Sequence, residues 1–309
     1  MKKVFFIDGG AGRIIASIPA LIKFGRLNPT VDWSVLFGAW DFLTWGIPEL
    51  QDRSYSLDTK GLFDNVVKNA DEFITPEPYR VPSYFRQQIS LVEAFDVEIN
   101  NTTDHSDLPA PILKLSNLEK MAAQNSINTI KQQSKKQKTI VIQPFGRGAK
   151  VDNTAIYDEE SRSLSQKDYL YIVKRLSNQY NLIFFGEQQF QMKEDTYTNK
   201  FVCDLRQWMA LISECDYFIG CDSVGQHMAR ALNTPGSVIF GSTFPINTSY
   251  PQYFNIIENT NEKKYVPIRI AGLDSALANR LNEGTMTFST QELDKICKNI
   301  SIDIEKKTK

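Results

Sequence analysis

Residues 222–245 read DSVGQHMARALNTPGSVIFGSTFP, and their types and spacing suit the binding of an anion. The stretch GQHMARAL carries apolar residues at helical spacing, which places Asp222 and Ser223 at a helix start. The first N–H groups of such a helix have no partner within it and sit at the positive end of its dipole. A diphosphate fits there, with Asp222, Ser223, the amides near Gly225 and His227 around it. The plainer alternative makes Asp222 or Ser223 a simple cap and His227, one of two histidines in the chain, a satisfied buried residue. A cap explains less. It leaves unexplained both the histidine one turn in and the second turn GSTFP, which follows the strand SVIFG and would reach the same sheet edge.

Strands and helices in alternation must position this cluster. KVFFI runs into the glycine turn DGGAG and then a helix, RIIASIPALIKFGRL. WSVLFGA and DEFIT read as strands, and residues 83–97 as one amphipathic helix. LPAPIL breaks the pattern, because proline restricts itself and the residue before it. The helix NLEKMAAQNSINTIKQQ and the linker SKKQK lead to TIVIQPFGRGA, a second strand with a glycine turn. A polar loop over 152–163 precedes the helix QKDYLYIVKRLSNQ, the strand NLIFFG, a helix around LRQWMALISEC and the strand YFIGC. Two doubly wound α/β domains are expected, 1–135 and 136–309, with the last helix packing back on the first and residues 305–309 frayed. Four glycine turns fall at strand ends, where open α/β sheets bind ligands, and two such domains would face each other across a cleft.

Composition narrows the function class. Lys and Arg number 35 against 36 Asp and Glu, so no charge excess draws the chain to nucleic acid or to an anionic membrane. Residues 1–135 alone hold 14 Lys and Arg and 16 Asp and Glu. Four cysteines form no CxxC pair and no signal peptide precedes KKVFFI, which favours a reducing, cytoplasmic setting. No apolar run is long enough to span a bilayer, which leaves peripheral membrane docking open.

The segment GCDSVGQHMARALNTPGSVIFGSTFP resembles the donor-site segment of the ADP-heptose:lipopolysaccharide heptosyltransferase family. GRIIASIPALIKFGRLNP is similar to that family's first turn and helix, VIQPFGRGA to the turn that opens its second domain, SRSLSQKDYLYIVKRL to its Lys-containing segment and the following helix, and LIFFGEQ to its strand ending before a glutamate. The resemblance implies the GT-B fold, two Rossmann-like domains with the acceptor side first and the donor side second. It also implies an inverting glycosyltransferase with no metal and no cofactor beyond a nucleotide-diphosphate sugar co-substrate. By position, Asp222, Ser223, Gly225 and His227 would surround the donor's sugar and diphosphate. Arg162 stands for a phosphate-neutralising lysine, a role a guanidinium can fill. Glu187 lies near an acid that contacts the nucleoside, and Gly146, Arg147 and Gly148 form the turn that approaches phosphate. For Arg147 and Arg162 a solvated surface charge is the alternative.

Two departures stand out. Arg13 occupies the place of the aspartate that serves the family as general base, and an arginine cannot take a proton. Asp8, on the same turn, is the candidate replacement, with a turn-capping carboxylate as its alternative role; Arg13 would then bind an acidic group on acceptor or donor. Val224 replaces a glycine. The acceptor is expected to be a glycan or a lipopolysaccharide-type molecule. Alternatives are a hydroxymethylated base in phage-type DNA and a nucleotide-sugar-binding module without catalysis. The stretch FGAWDFLTWGIP, with Trp40, Trp45 and Pro48, reads mainly as core, with sugar stacking as the second reading.

Overall fold

The structure, a computed structural model, describes residues 1–152, 155–158, 162–259 and 286–308. Contacts divide the chain into two units that part between Leu115 and Ser116.

In the first unit, the run KKVFFI forms β1 (Lys2–Ile7), followed by α1 (Ala11–Leu27), β2 (Asp32–Phe37), β3 (Ser54–Ser56), β4 (Glu72–Ile74), α2 (Pro82–Phe85) and α3 (Leu91–Asn100). The sheet runs β3-β2-β1-β4 with all strands parallel. The apolar face of α1 is buried from Ile14 to Phe24, and Phe5, Phe24 and Trp33 meet edge to face with centroids 5.0–6.3 Å apart. Such pairs add about 0.5–1.5 kcal/mol each beyond the area they bury. Residues 83–97 are two helices and not one. Gln87 takes φ 61°, and Ser90 starts afresh with a capping box in which its Oγ accepts the Glu93 N–H at 3.2 Å and Glu93 accepts the Ser90 N–H at 2.7 Å.

The second unit comprises α4 (Asn117–Ser134), β5 (Thr139–Gln143), β6 (Ala149–Asp152), β7 (Ala155–Asp158), α5 (Gln166–Leu176), β8 (Asn181–Phe184), β9 (Thr198–Lys200), α6 (Leu205–Glu214), β10 (Tyr217–Cys221), α7 (Val224–Ala231), β11 (Gly236–Phe240), α8 (Pro245–Thr248), β12 (Asn255–Glu258) and α9 (Thr290–Lys307). Its main sheet runs β12-β11-β10-β5-β8-β9, parallel throughout. Helix α4 belongs here and not to the first unit, because it packs on α6 and Arg206 of α6 donates to Glu119 of α4 at 3.0 Å. That guanidinium holds the Glu119 carboxyl down at about 2.

Three short strands carry too little apolar patterning to be read from sequence: β3, β9 and β12. The expected loop over 152–163 includes part of an antiparallel hairpin, β6–β7. Helix α9 packs within the second unit: Tyr171 donates to Asp294 at 2.9 Å and Lys138 pairs with Glu305 at 2.8 Å. Its stripe Leu293, Ile296, Cys297, Ile300 and Ile304 is buried, which keeps it helical through Lys307 where fraying was expected.

Candidate active site

A parallel sheet binds ligands outside the carboxyl ends of the strands where its order reverses. In the second unit the chain passes from β5 to β8 and β9 on one side and returns as β10, β11 and β12 on the other, so the reversal lies between β5 and β10. Each strand end there carries a polar turn: Gly146–Gly148 after β5, Asp222 and Ser223 after β10, Ser242 and Thr243 after β11. The first two turns abut. A Cβ added to Gly146 would lie 3.7 Å from the Asp222 carbonyl oxygen, from Ser163 Oγ and from Ser223 Cβ.

Asp222 is buried, and both its oxygens are engaged. Oδ1 accepts from Gln226 Nε2 at 3.0 Å, Oδ2 accepts from Thr243 Oγ1 at 2.8 Å, and Arg162 Nη1 lies 3.9 Å from Oδ2. Burial pushes its pKa up, while Arg162 and the hydroxyls of Thr243 and Thr248 oppose the rise. Arg162 keeps part of its side chain at the surface. Its backbone is pinned by Asp158, the last residue of β7, whose Oδ2 accepts from Arg162 N at 3.2 Å, Ser163 N at 2.9 Å and Ser163 Oγ at 2.6 Å. Ser163 Oγ in turn accepts the Gly146 N–H at 2.8 Å.

Gln143, the last residue of β5, clamps the start of α7. Its Oε1 accepts the Gly225 N–H at 2.8 Å and its Nε2 donates to Ser223 Oγ at 3.2 Å. Glycine is required at 225, since a Cβ would stand 2.4 Å from Gln143 Oε1 and 2.7 Å from the Phe218 ring. The amides of Gly146 and Gly225, both expected to face phosphate, are therefore spent on Ser163 and Gln143. His227 is buried one turn into α7, with Nδ1 2.9 Å from the Tyr250 hydroxyl and the two rings edge to face at 5.6 Å. Burial first, and the Arg162 cation second, bring its pKa down to about 4, so the imidazole is neutral at physiological pH.

Gly146, Arg162, Asp222, Ser223, Gly225 and His227 thus come together, with Arg147 exposed on the same turn as Gly146 and Gly148. Glu187 is exposed at the end of β8, on the same sheet edge one strand beyond β5, and accepts from Gln189 Nε2 at 2.7 Å. Sequence reasoning missed Gln143, Asp158, Ser163 and Tyr250. A polar residue closing the buried run TIVIQ marked Gln143. Nothing local marked Asp158, whose place depends on the hairpin.

The first unit repeats the geometry. Its order reverses between β1 and β4, and Asp8 and Glu77 follow those strands. Arg13 bridges them from α1: Nη1 donates to Glu77 Oε1 at 3.0 Å, Nη2 donates to the Pro76 carbonyl at 3.0 Å and lies 3.4 Å from Asp8 Oδ1. Its guanidinium stacks over Tyr79 at 5.2 Å and Phe95 at 5.5 Å. Arg13 was expected to bind an acidic ligand group; instead it is 5% exposed and its charge already answers two carboxylates. Asp8 is the most exposed of the trio, at 39% side-chain exposure. Trp40 and Trp45 depart from the core reading too, at 37% and 59% exposure. Among the described residues no group of three His, Cys, Asp or Glu is arranged to hold a metal, and no helix is long and apolar enough to cross a membrane.

Residues 113–266 match the family model described as Glycosyltransferase family 9 (heptosyltransferase). Curated proteins yield no match. Among solved structures, the chain is similar to the ADP-heptose lps heptosyltransferase II of E. coli, with 15% identity, 99% of each chain covered and a TM-score of 0.67. It is also similar to a family 9 glycosyl transferase from Veillonella parvula, with 12% identity, coverage of 98% of this chain and 97% of that one, and a TM-score of 0.69. A third likeness is to the iron-containing dodecameric glycosyltransferase TibC of enterotoxigenic E. coli, with 12% identity, 98% and 79% coverage and a TM-score of 0.59. The fold they share with this chain is GT-B. The family match and the two parallel α/β units converge on one assignment: the chain belongs to the heptosyltransferase-like glycosyltransferases of family 9.

Proposed function

We propose that this glycosyltransferase moves a sugar from a nucleotide-diphosphate sugar to an acceptor hydroxyl with inversion, and that the acceptor is a glycan of the lipopolysaccharide type. The observation that carries the donor assignment is Arg162, partly open to solvent and held at the β5/β10 reversal by buried Asp222, beside the start of α7. As the acceptor oxygen attacks the anomeric carbon, the bond from that carbon to the diphosphate breaks and negative charge grows on the leaving phosphate. The Arg162 guanidinium and the positive end of α7 oppose that charge without a metal. Arg147 adds a second cation on the adjoining turn, and Glu187 suits the ribose or base of the nucleotide. Neutral His227, its Nδ1 occupied by Tyr250, has Nε2 left for a sugar or phosphate oxygen.

The proton of the acceptor hydroxyl goes to Asp8. Arg13 then acts as a positioning residue that fixes this carboxylate from below. The free thiols of all four cysteines suit a reducing compartment such as the cytoplasm. The names of two relatives, an ADP-heptose lps heptosyltransferase and a TibC structure in complex with ADP-D-beta-D-heptose, support an ADP-linked heptose as the first donor to try.

Calorimetry with ADP, UDP and GDP and their sugars tests the donor half. Arg162→Ala should weaken binding about 10- to 100-fold, the equivalent of one charge-assisted hydrogen bond. Asp8→Asn should leave donor affinity intact and slow transfer about 100-fold or more. Equal turnover in Asp8→Asn removes Asp8 as the base, and nucleotide binding untouched by Arg162→Ala removes the donor assignment.

A further inference from the structure

We propose that the aromatic strip formed by exposed Trp40 and Trp45 with half-buried Phe42 between them, in the first unit, is an acceptor subsite that stacks on one pyranose ring; the proposal rests on the transferase reading above. The strip leaves the end of β2, directly beside Asp8. The Gly38 N–H donates to the Ile7 carbonyl at 2.9 Å, and a Cβ on Gly38 would lie 3.4 Å from Asp8 Cα. Trp40 follows two residues later in the left-handed region, at φ 68°, where a bulky side chain is rarely placed without cause. A 3₁₀ turn over Asp41–Thr44 comes next. Residues three apart eclipse on such a turn, so Phe42 and Trp45 share its outer side while Leu43, Thr44 and Ile47 are buried.

Edge-to-face contacts hold the three rings in sequence, Trp40 to Phe42 at 6.0 Å and Phe42 to Trp45 at 6.2 Å. Trp40 and Trp45, at 37% and 59% exposure, present aromatic area that a ligand ring can cover. The polar boundary identifies the occupant. Asp41 stands inside the strip, and Lys114 adjoins Gly46, where an added Cβ would meet the lysine's own Cβ at 3.1 Å. A pyranose offers an apolar C–H face to an aromatic ring and a rim of hydroxyls to such charges. An acyl chain would need a continuous apolar groove, and these charges interrupt it. The hydroxyl chosen for reaction belongs to this ring or the next one, within the reach of Asp8.

Saturation-transfer NMR on the full chain, with methyl glycosides of glucose, galactose, mannose and a heptose and with an immobilised oligosaccharide panel, tests the subsite. The best glycan of the panel should bind at least tenfold more weakly to Trp45→Ala and Trp40→Ala, and within threefold of the parent to Trp45→Tyr, which keeps a stacking face. Nucleotide-diphosphate-sugar binding, measured in the same variants, should not change, which separates a lost subsite from a lost fold. Glycan binding that ignores both alanine substitutions overturns the proposal. So does a strip that loses vesicles of anionic phospholipid, and no sugar, when the tryptophans are removed. Absence of donor binding in the parent chain would sink the transferase reading while leaving the glycan measurement to decide the subsite by itself.

Discussion

His227 supplies a measurable consequence of the site's electrostatics. The imidazole is buried, its Nδ1 faces the Tyr250 hydroxyl, and burial with the nearby Arg162 cation brings its pKa from 6.5 to about 4. The folded-state value is depressed, so between pH 4 and 6.5 the unfolded chain binds one proton more than the folded one. Stability from this group is therefore intact above pH 6.5 and is lost as the pH falls toward 4. A shift of about 2.5 units gives a slope near 1.2 kcal/mol per pH unit around pH 5.25, or about 2.5 kcal/mol between pH 7 and 4.5. The perturbation is His227→Asn, which cannot titrate. Urea unfolding of both proteins, followed by the fluorescence of Trp208 in the second unit, should give free energies whose difference moves by that amount across the range. Other groups cancel in the difference. Proton NMR offers a direct check, since the chain has only two histidines. One C2–H resonance should titrate near pH 4. Parallel pH profiles for the two proteins, with the His227 resonance titrating near 6.5, would refute the buried neutral imidazole and its assigned hydrogen-bonding role.

Two further substitutions probe the packing beneath the sites. Gly225→Ala drives a Cβ into Gln143 Oε1 and the Phe218 ring and should cost about 1–3 kcal/mol in urea unfolding while loosening nucleotide binding; a variant as stable as the parent would show that α7 moves freely off β5. Arg13→Met leaves Glu77 and Asp8 without their shared guanidinium and should destabilise the first unit by about 3 kcal/mol, seen as a lower melting temperature. A melt unchanged by that variant would return Arg13 to ligand binding.

Much of the fold was legible because its signals are local. KVFFI, TIVIQ, YFIGC and SVIFG are buried runs that end in glycine or polar turns, and they became β1, β5, β10 and β11. The Ser90–Glu93 capping box was also written in the sequence, yet the apolar spacing across 83–97 hid it. Strands of three or four residues, such as β9 with its sequence TNK, left no pattern to read. The division between units moved to Leu115 because α4 is settled by its packing on α6, a contact that no linker composition reports.

The donor cluster was legible as a set of residue types: an acid, a serine, a glycine and a histidine at one helix start, with a second polar turn after the next strand. Its wiring was not. Asp222 and Arg162 are 60 positions apart, and they meet because β5 and β10 lie side by side at the reversal of the sheet. The same holds for Arg13, whose local setting on a glycine turn suggested a ligand-binding cation, until β4 placed Glu77 against it. Short-range polarity and spacing determine which segments become strands, helices and turns, and so which residues reach a sheet edge. Strand order alone determines which charges then neutralise one another, because an ion pair depends on distance through space and the sequence records only distance along the chain.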